Sequence, residues 1–155
     1  MTWNIELKEK GLRYTLFIKK TTSVGELPNI IGESYMKIGR YLGELGEQPA
    51  DAPYVAYFNL DMEHLNVELG FQVNKPLPGK DEIMAGEIPA GPVVTCLYKG
   101  PYSGMQPLYD EMMKWMSDHG YESTGAYYEH YLNSPADVSS ENDYLTRVDL
   151  PVRKK

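Results

Sequence analysis

The 155-residue chain runs through one structural plan twice. In the first pass, residues 4–8 and 12–18 alternate apolar and polar side chains, the pattern of strands with one buried face. A loop at 21–25 leads into a helix predicted over Leu27–Leu45. Pro28 falls in its first turn, where a missing N–H costs nothing. Ile31, Ile38, Leu42 and Leu45 recur at helical spacing. Strands at 54–59 and 67–73 complete the pass. The connector Lys75-Pro76-Leu77-Pro78-Gly79-Lys80 follows, and the plan starts again. Strands are expected at 83–88 and 93–99, a helix over 106–119 with Pro107 near its start and Gly120 past its end, and strands at 126–133 and 144–152. Tyr57-Phe58-Asn59 matches Tyr131-Leu132-Asn133, and Leu69, Phe71 and Val73 match Val148, Leu150 and Val152. One such half buries too little apolar surface to stand alone. Two halves sharing an antiparallel sheet, with both helices on one face, would suffice. The expectation is an α+β fold in one domain, with pseudo-repeat halves 1–75 and 81–152. The pattern leaves strand order open.

Several kinds of chemistry are excluded by what the chain lacks. A single cysteine, Cys96, rules out an internal disulfide and a cysteine-based zinc cluster. It sits in the apolar run Val93-Val94-Thr95-Cys96-Leu97-Tyr98, where a thiol behaves as a small buried hydrophobe. His64, His119 and His130 have no metal-ligand spacing, so no metal site is expected. No Gly-x-Ser-x-Gly elbow supports a hydrolase triad. Gly100-Pro101-Tyr102-Ser103-Gly104 precedes a helix but lacks the spacing of nucleotide loops, and reads as a strand-to-helix turn. No cofactor is expected. Fifteen Lys and Arg against 22 Asp and Glu give a net charge of −7, which argues against direct nucleic-acid binding. No apolar run approaches the ~20 residues needed to span a bilayer. Residues 1–6 show no signal peptide, so a cytoplasmic protein without membrane partners is expected.

The strand at 126–133 carries the one pattern that suggests a site. Side chains alternate across a strand, so Tyr127, Glu129 and Tyr131 share one face while Tyr128, His130 and Leu132 share the other. A carboxylate between two tyrosines has two readings, an exposed strand face or an anionic group set in an aromatic wall. In the second, the ring faces and the desolvated carboxylate would both attract a lipophilic cation.

Gly86-Glu87-Ile88-Pro89-Ala90-Gly91-Pro92, Tyr98-Lys99-Gly100-Pro101-Tyr102-Ser103-Gly104, Trp115, Gly120, Tyr128-Glu129-His130-Tyr131-Leu132-Asn133-Ser134-Pro135 and the closing Leu145–Val152 run together resemble the GyrI-like domain, the effector-binding domain of AraC-type and MerR-type multidrug regulators. The resemblance is strongest over 83–152 and looser over 1–75. It implies a duplicated strand–helix–strand–strand fold with a central cleft, in which a strand carboxylate and aromatic residues hold lipophilic cations. Glu129 matches the carboxylate position. The repeat sets Val55 against it in the first half, so one acid is expected rather than two. Tyr57 and Tyr131 match each other and are expected to face across the cleft, with Tyr109 and Trp115 on its floor and Tyr127 beside Glu129. The chain starts too near its first strand for a helix-turn-helix, so a stand-alone binding module is expected. The resemblance also implies two alternatives. One is hydrolysis of reactive electrophiles, with Glu129 as base or nucleophile and Tyr131 or Tyr57 as proton donor. The other is a protein-interaction module of the gyrase-inhibitor type. Edge strands leave room for a homodimer or another protein partner.

Overall fold

A computed structural model describes residues 3–133 and 137–155. Met1, Thr2, Ser134 and Pro135, which entered the sequence reading, lie outside the described residues, as does Ala136. The described chain forms β1 (Glu6–Lys10), β2 (Arg13–Thr22), α1 (Leu27–Leu45), β3 (Tyr54–Tyr57), β4 (Leu65–Val73), β5 (Ile83–Ile88) and β6 (Gly91–Lys99). After a 3-10 turn at Tyr102–Gly104 come α2 (Gln106–Asp118), β7 (Tyr121–Ser123), β8 (Tyr127–Tyr131) and β9 (Leu145–Lys154). Every registered strand pair is antiparallel, and the fold is α+β as expected. No helix among the described residues is long and apolar enough to cross a membrane.

Two compact units are present. The continuous unit, Gly11–Ala90, holds β2 to β5 and α1. The split unit joins Met1–Lys10 to Gly91–Lys155. Strand order, left open by the sequence, is β3-β4-β2-β5 in the continuous unit and β1-β6-β9-β8 in the split unit, with β7 also on β9. The opening strand of each sequence pass is therefore paired within the other pass's unit. β1 pairs β6, with Leu7 opposite Val94, and β5 pairs β2, with Ala85 opposite Leu16.

In the continuous unit α1 has the predicted limits. Its end is set by Gly46, at φ 70°, a left-handed conformation that costs glycine little. The Gly46 N–H bonds to the Gly43 carbonyl at 3.1 Å and the Glu47 N–H to the Leu42 carbonyl at 2.9 Å, a Schellman closure. The helix buries Ile38, Tyr41 and Leu42 against Leu16 and Ile18 of β2 and Val73 of β4.

In the split unit α2 repeats the arrangement. Leu108, Met112 and Met116 recur every four residues and pack on Val94, Cys96 and Tyr98 of β6 and Val148, Leu150 and Val152 of β9. Cys96 is 2% exposed, in keeping with the apolar role read from its strand. Along β8 burial alternates, with Tyr128 and His130 fully buried and Tyr127, Glu129 and Tyr131 partly buried. Glu129 lies opposite Val148, which belongs to the core under α2, while His130 lies opposite Arg147 on the reverse face. The strand parity read from sequence thus puts Glu129 on the helix side.

Candidate functional site

On that face α2 and β8 converge on one carboxylate. Tyr109, in the first turns of α2, donates its hydroxyl to Glu129 Oε2 at 2.5 Å. Tyr131, two residues along β8, donates to Oε1 at 2.8 Å. Each carboxylate oxygen therefore accepts one phenol. Burial pushes the Glu129 carboxyl above the ordinary carboxylate range; the bonds from Tyr109 and Tyr131 pull it down without cancelling that rise. Both donors are neutral, so the bonds to the carboxylate bring it no counter-charge.

Two tyrosines absent from the sequence-based site extend this cluster. Tyr102, in the 3-10 turn before α2, stands edge-on to Tyr131 with ring centroids 5.6 Å apart and planes at 67°. It stacks on Tyr144, just ahead of β9, at 4.9 Å and 25°. Burial raises the Tyr102 hydroxyl's pKa, and the neighbouring Tyr144 and Glu129 raise it further, so the ring lies within reach of the carboxylate's field. Tyr102 was legible only as part of a glycine-flanked turn, and Tyr144 as a strand boundary. A tyrosine in a loop that opens a helix beside a tyrosine-rich strand was the available signal.

Trp115 stacks on His119, just past the end of α2, at 3.8 Å and 14°, and packs against the apolar core of the split unit. Tyr127 is partly buried against the same core. Tyr57 closes β3 in the continuous unit, half-buried, at the position the repeat matches to Tyr131. Val55, matched to Glu129, is fully buried, opposite Leu69.

Behind the site, on the reverse face, lies a second charged group. Asp149, 2% exposed, accepts the Thr95 hydroxyl at 2.6 Å. Its other oxygen lies 3.4 Å from His130 Nε2 and accepts from Arg147 Nε at 3.3 Å. Burial alone would raise this carboxyl. The bonds from His130 and Thr95, with the charges of His130 and Arg147, outweigh it and hold Asp149 well below the usual carboxylate range. Adjacent strand positions thus carry oppositely tuned acid sites on opposite faces.

A family model described as the GyrI-like small molecule binding domain matches residues 4–153. The chain belongs to this family. Among solved structures, the fold matches EcmrR in its DNA complex with TM-score 0.86 at 22% identity, covering 99% of this chain and 58% of that one. The isolated EcmrR C-terminal domain matches over 100% of both chains, with TM-score 0.79 and 22% identity. This GyrI-like chain therefore spans little more than half of EcmrR, in the region of its C-terminal domain. SAV2435 bound to tetraphenylphosphonium matches with TM-score 0.68 at 10% identity, over 99% of this chain and 94% of that one. A hydrolase from Listeria innocua matches with TM-score 0.70 at 16% identity, over 96% and 91%. No curated protein sequence matches. At these identities the structural likenesses carry the fold alone.

Proposed function

We propose that this GyrI-like domain binds lipophilic cations, with Glu129 as the charge partner and Tyr109, Tyr131, Tyr102 and Tyr144 as the aromatic surround. One observation carries the reading: a partly buried carboxylate whose two oxygens each accept a phenol, at 2.5 and 2.8 Å. Burying a carboxylate without a counter-ion is costly, and the raised pKa registers that cost. A cation restores the balance, and ring faces add cation–π attraction while covering its apolar body. The likeness to a fold bound to tetraphenylphosphonium supports that ligand class. Trp115 and Tyr127, packed against the core of the same unit, contribute apolar surface in this reading.

A hydrolase reading draws on the same pair of bonds, because a carboxyl tuned upward beside a phenol is also equipped for acid–base chemistry. Turnover of a strained electrophile that disappears in Glu129→Gln would favour it.

The test is calorimetric titration of wild type and Glu129→Gln with tetraphenylphosphonium and with neutral triphenylphosphine oxide. The substitution keeps shape and removes charge. A phosphonium charge about 6 Å from the carboxylate is attracted by about 3 kcal/mol at an effective dielectric of ~20, partly offset by desolvation, so cation affinity should fall roughly ten- to a hundred-fold. The neutral probe should change little. Equal losses for both would make Glu129 a structural residue, and no binding of either by wild type would remove the cation reading.

A further inference from the structure

The loop between β6 and α2 is held in a way the binding site does not by itself require. Tyr98, on β6, is 5% exposed and its ring belongs to the core under α2. Its hydroxyl leaves that core to donate to the Pro101 carbonyl at 2.8 Å. The same carbonyl accepts the Gly104 N–H at 3.0 Å, and the Gly100 N–H donates to the Tyr144 carbonyl at 2.9 Å. The hydroxyl fills space that two glycines leave. A Cβ on Gly104 would lie 2.6 Å from Tyr98 Oη but 3.9 Å from the ring carbon that bears it. A Cβ on Gly100, at φ 144°, would lie 3.1 Å from the hydroxyl. Between these anchors sits Tyr102, 43% exposed, in a turn that buries no residue of its own.

We propose that Tyr98 is a positioning residue: its hydroxyl latches the 100–104 loop so that Tyr102 is held against Tyr131 and Tyr144 beside Glu129, and this sets preference for ligands that carry aromatic rings. The proposal rests on the cation reading for its ligand class, but the latch itself is a property of the loop. Without the hydroxyl, the Tyr102 side chain keeps its ring contacts at 4.9 and 5.6 Å, and the loop keeps its backbone bonds but loses its tie to the core. A mobile ring cannot offer a fixed face to a rigid aromatic ligand without a cost in ordering. A small cation that reaches the carboxylate alone does not use that face.

The experiment compares tetraphenylphosphonium with tetramethylammonium in wild type, Tyr98→Phe, Tyr102→Ala and the double variant. Tyr98→Phe keeps the ring and deletes the latch. Tetraphenylphosphonium should weaken roughly two- to ten-fold in both single variants, the range of one aromatic contact. Tetramethylammonium should change less than about two-fold, and the double variant should match Tyr102→Ala alone. Losses that are equal for the two probes, or additive in the double variant, overturn the proposal. Two readouts need no ligand. Exchange of the Gly104 amide should accelerate in Tyr98→Phe. Gly104→Ala should destabilise wild type more than Tyr98→Phe, because removing Oη clears the 2.6 Å contact. If wild type binds neither probe, the cation reading fails while these two measurements still decide the latch. Unchanged amide exchange together with equal Gly104→Ala costs in both backgrounds would remove it.

Discussion

Replacing Asp149 with Asn tests the charged group behind the site. The side chain is 2% exposed and meets Thr95, His130 and Arg147 within 2.6–3.4 Å. Asn keeps the size and one acceptor for Thr95, but it deletes the charge and turns an amide N–H₂ toward donors. Removing one partner from a buried ion pair costs about 3–5 kcal/mol, because the charge left behind stays desolvated. For a chain of this length each kcal/mol moves the midpoint by about 2–4 °C, so Asp149→Asn should lower Tm by about 6–20 °C near neutral pH. The sign with pH follows from the lowered pKa. A carboxyl whose folded pKa lies below its unfolded value of about 3.9 stabilises fully above that value, and the contribution is lost as pH falls toward the folded one. The gap between wild type and variant should be largest above about pH 5 and close in acid. Scanning calorimetry at several pH values reads both effects. A neutral-pH drop under about 3 °C, or a gap that widens in acid, would show that Asp149 is not the ionised centre of this group.

The site acid should behave in the opposite sense. Its folded pKa is raised, so ionised Glu129 costs stability, and Glu129→Gln should match or exceed the wild-type Tm at pH 8, with the difference shrinking as pH falls below Glu129's own pKa; thermal denaturation at pH 5 and 8 checks this, and a Tm well below wild type at pH 8 contradicts it. Tyr109→Phe and Tyr131→Phe each remove a bond that lowers the Glu129 pKa, so each should push it higher still, as read by carboxyl-carbon NMR titration. The acid-side midpoint of cation binding should move upward with it.

Much of this was legible from residue types and spacing, for identifiable reasons. The limits of α1 follow from Pro28 and from the glycine at 46, both local signals. Glu129 could be placed with Tyr131 because strand parity is fixed by covalent geometry. Tyr109 could be placed on the helix, although its bond to Glu129 joins residues twenty apart. What stayed hidden depends on pairing between distant segments. Tyr102 and Tyr144 meet only because Gly100 is tied to the strand end at Tyr144, and a loop has no period to announce that. Parity put His130 on the reverse face without naming Asp149, which is found only through the β8–β9 and β6–β9 registers. The three-residue β7 is too short to show alternation. The exchange of β1 and β5 between passes is a matter of strand order, on which alternation is silent.

That exchange dictates a sequence of events on the ribosome. The Gly11–Ala90 unit is continuous, so all its strands and α1 have been synthesised before any of β6 emerges. β1, made before that unit, pairs among the described residues with Gly91–Lys99, and that sheet is completed by β9, made after it. β1 therefore waits for this partner through the synthesis of an entire unit. Its Glu-Leu-Lys-Glu-Lys sequence suits the wait, since four charges in five residues keep a lone strand hydrated and unattractive to other strand edges.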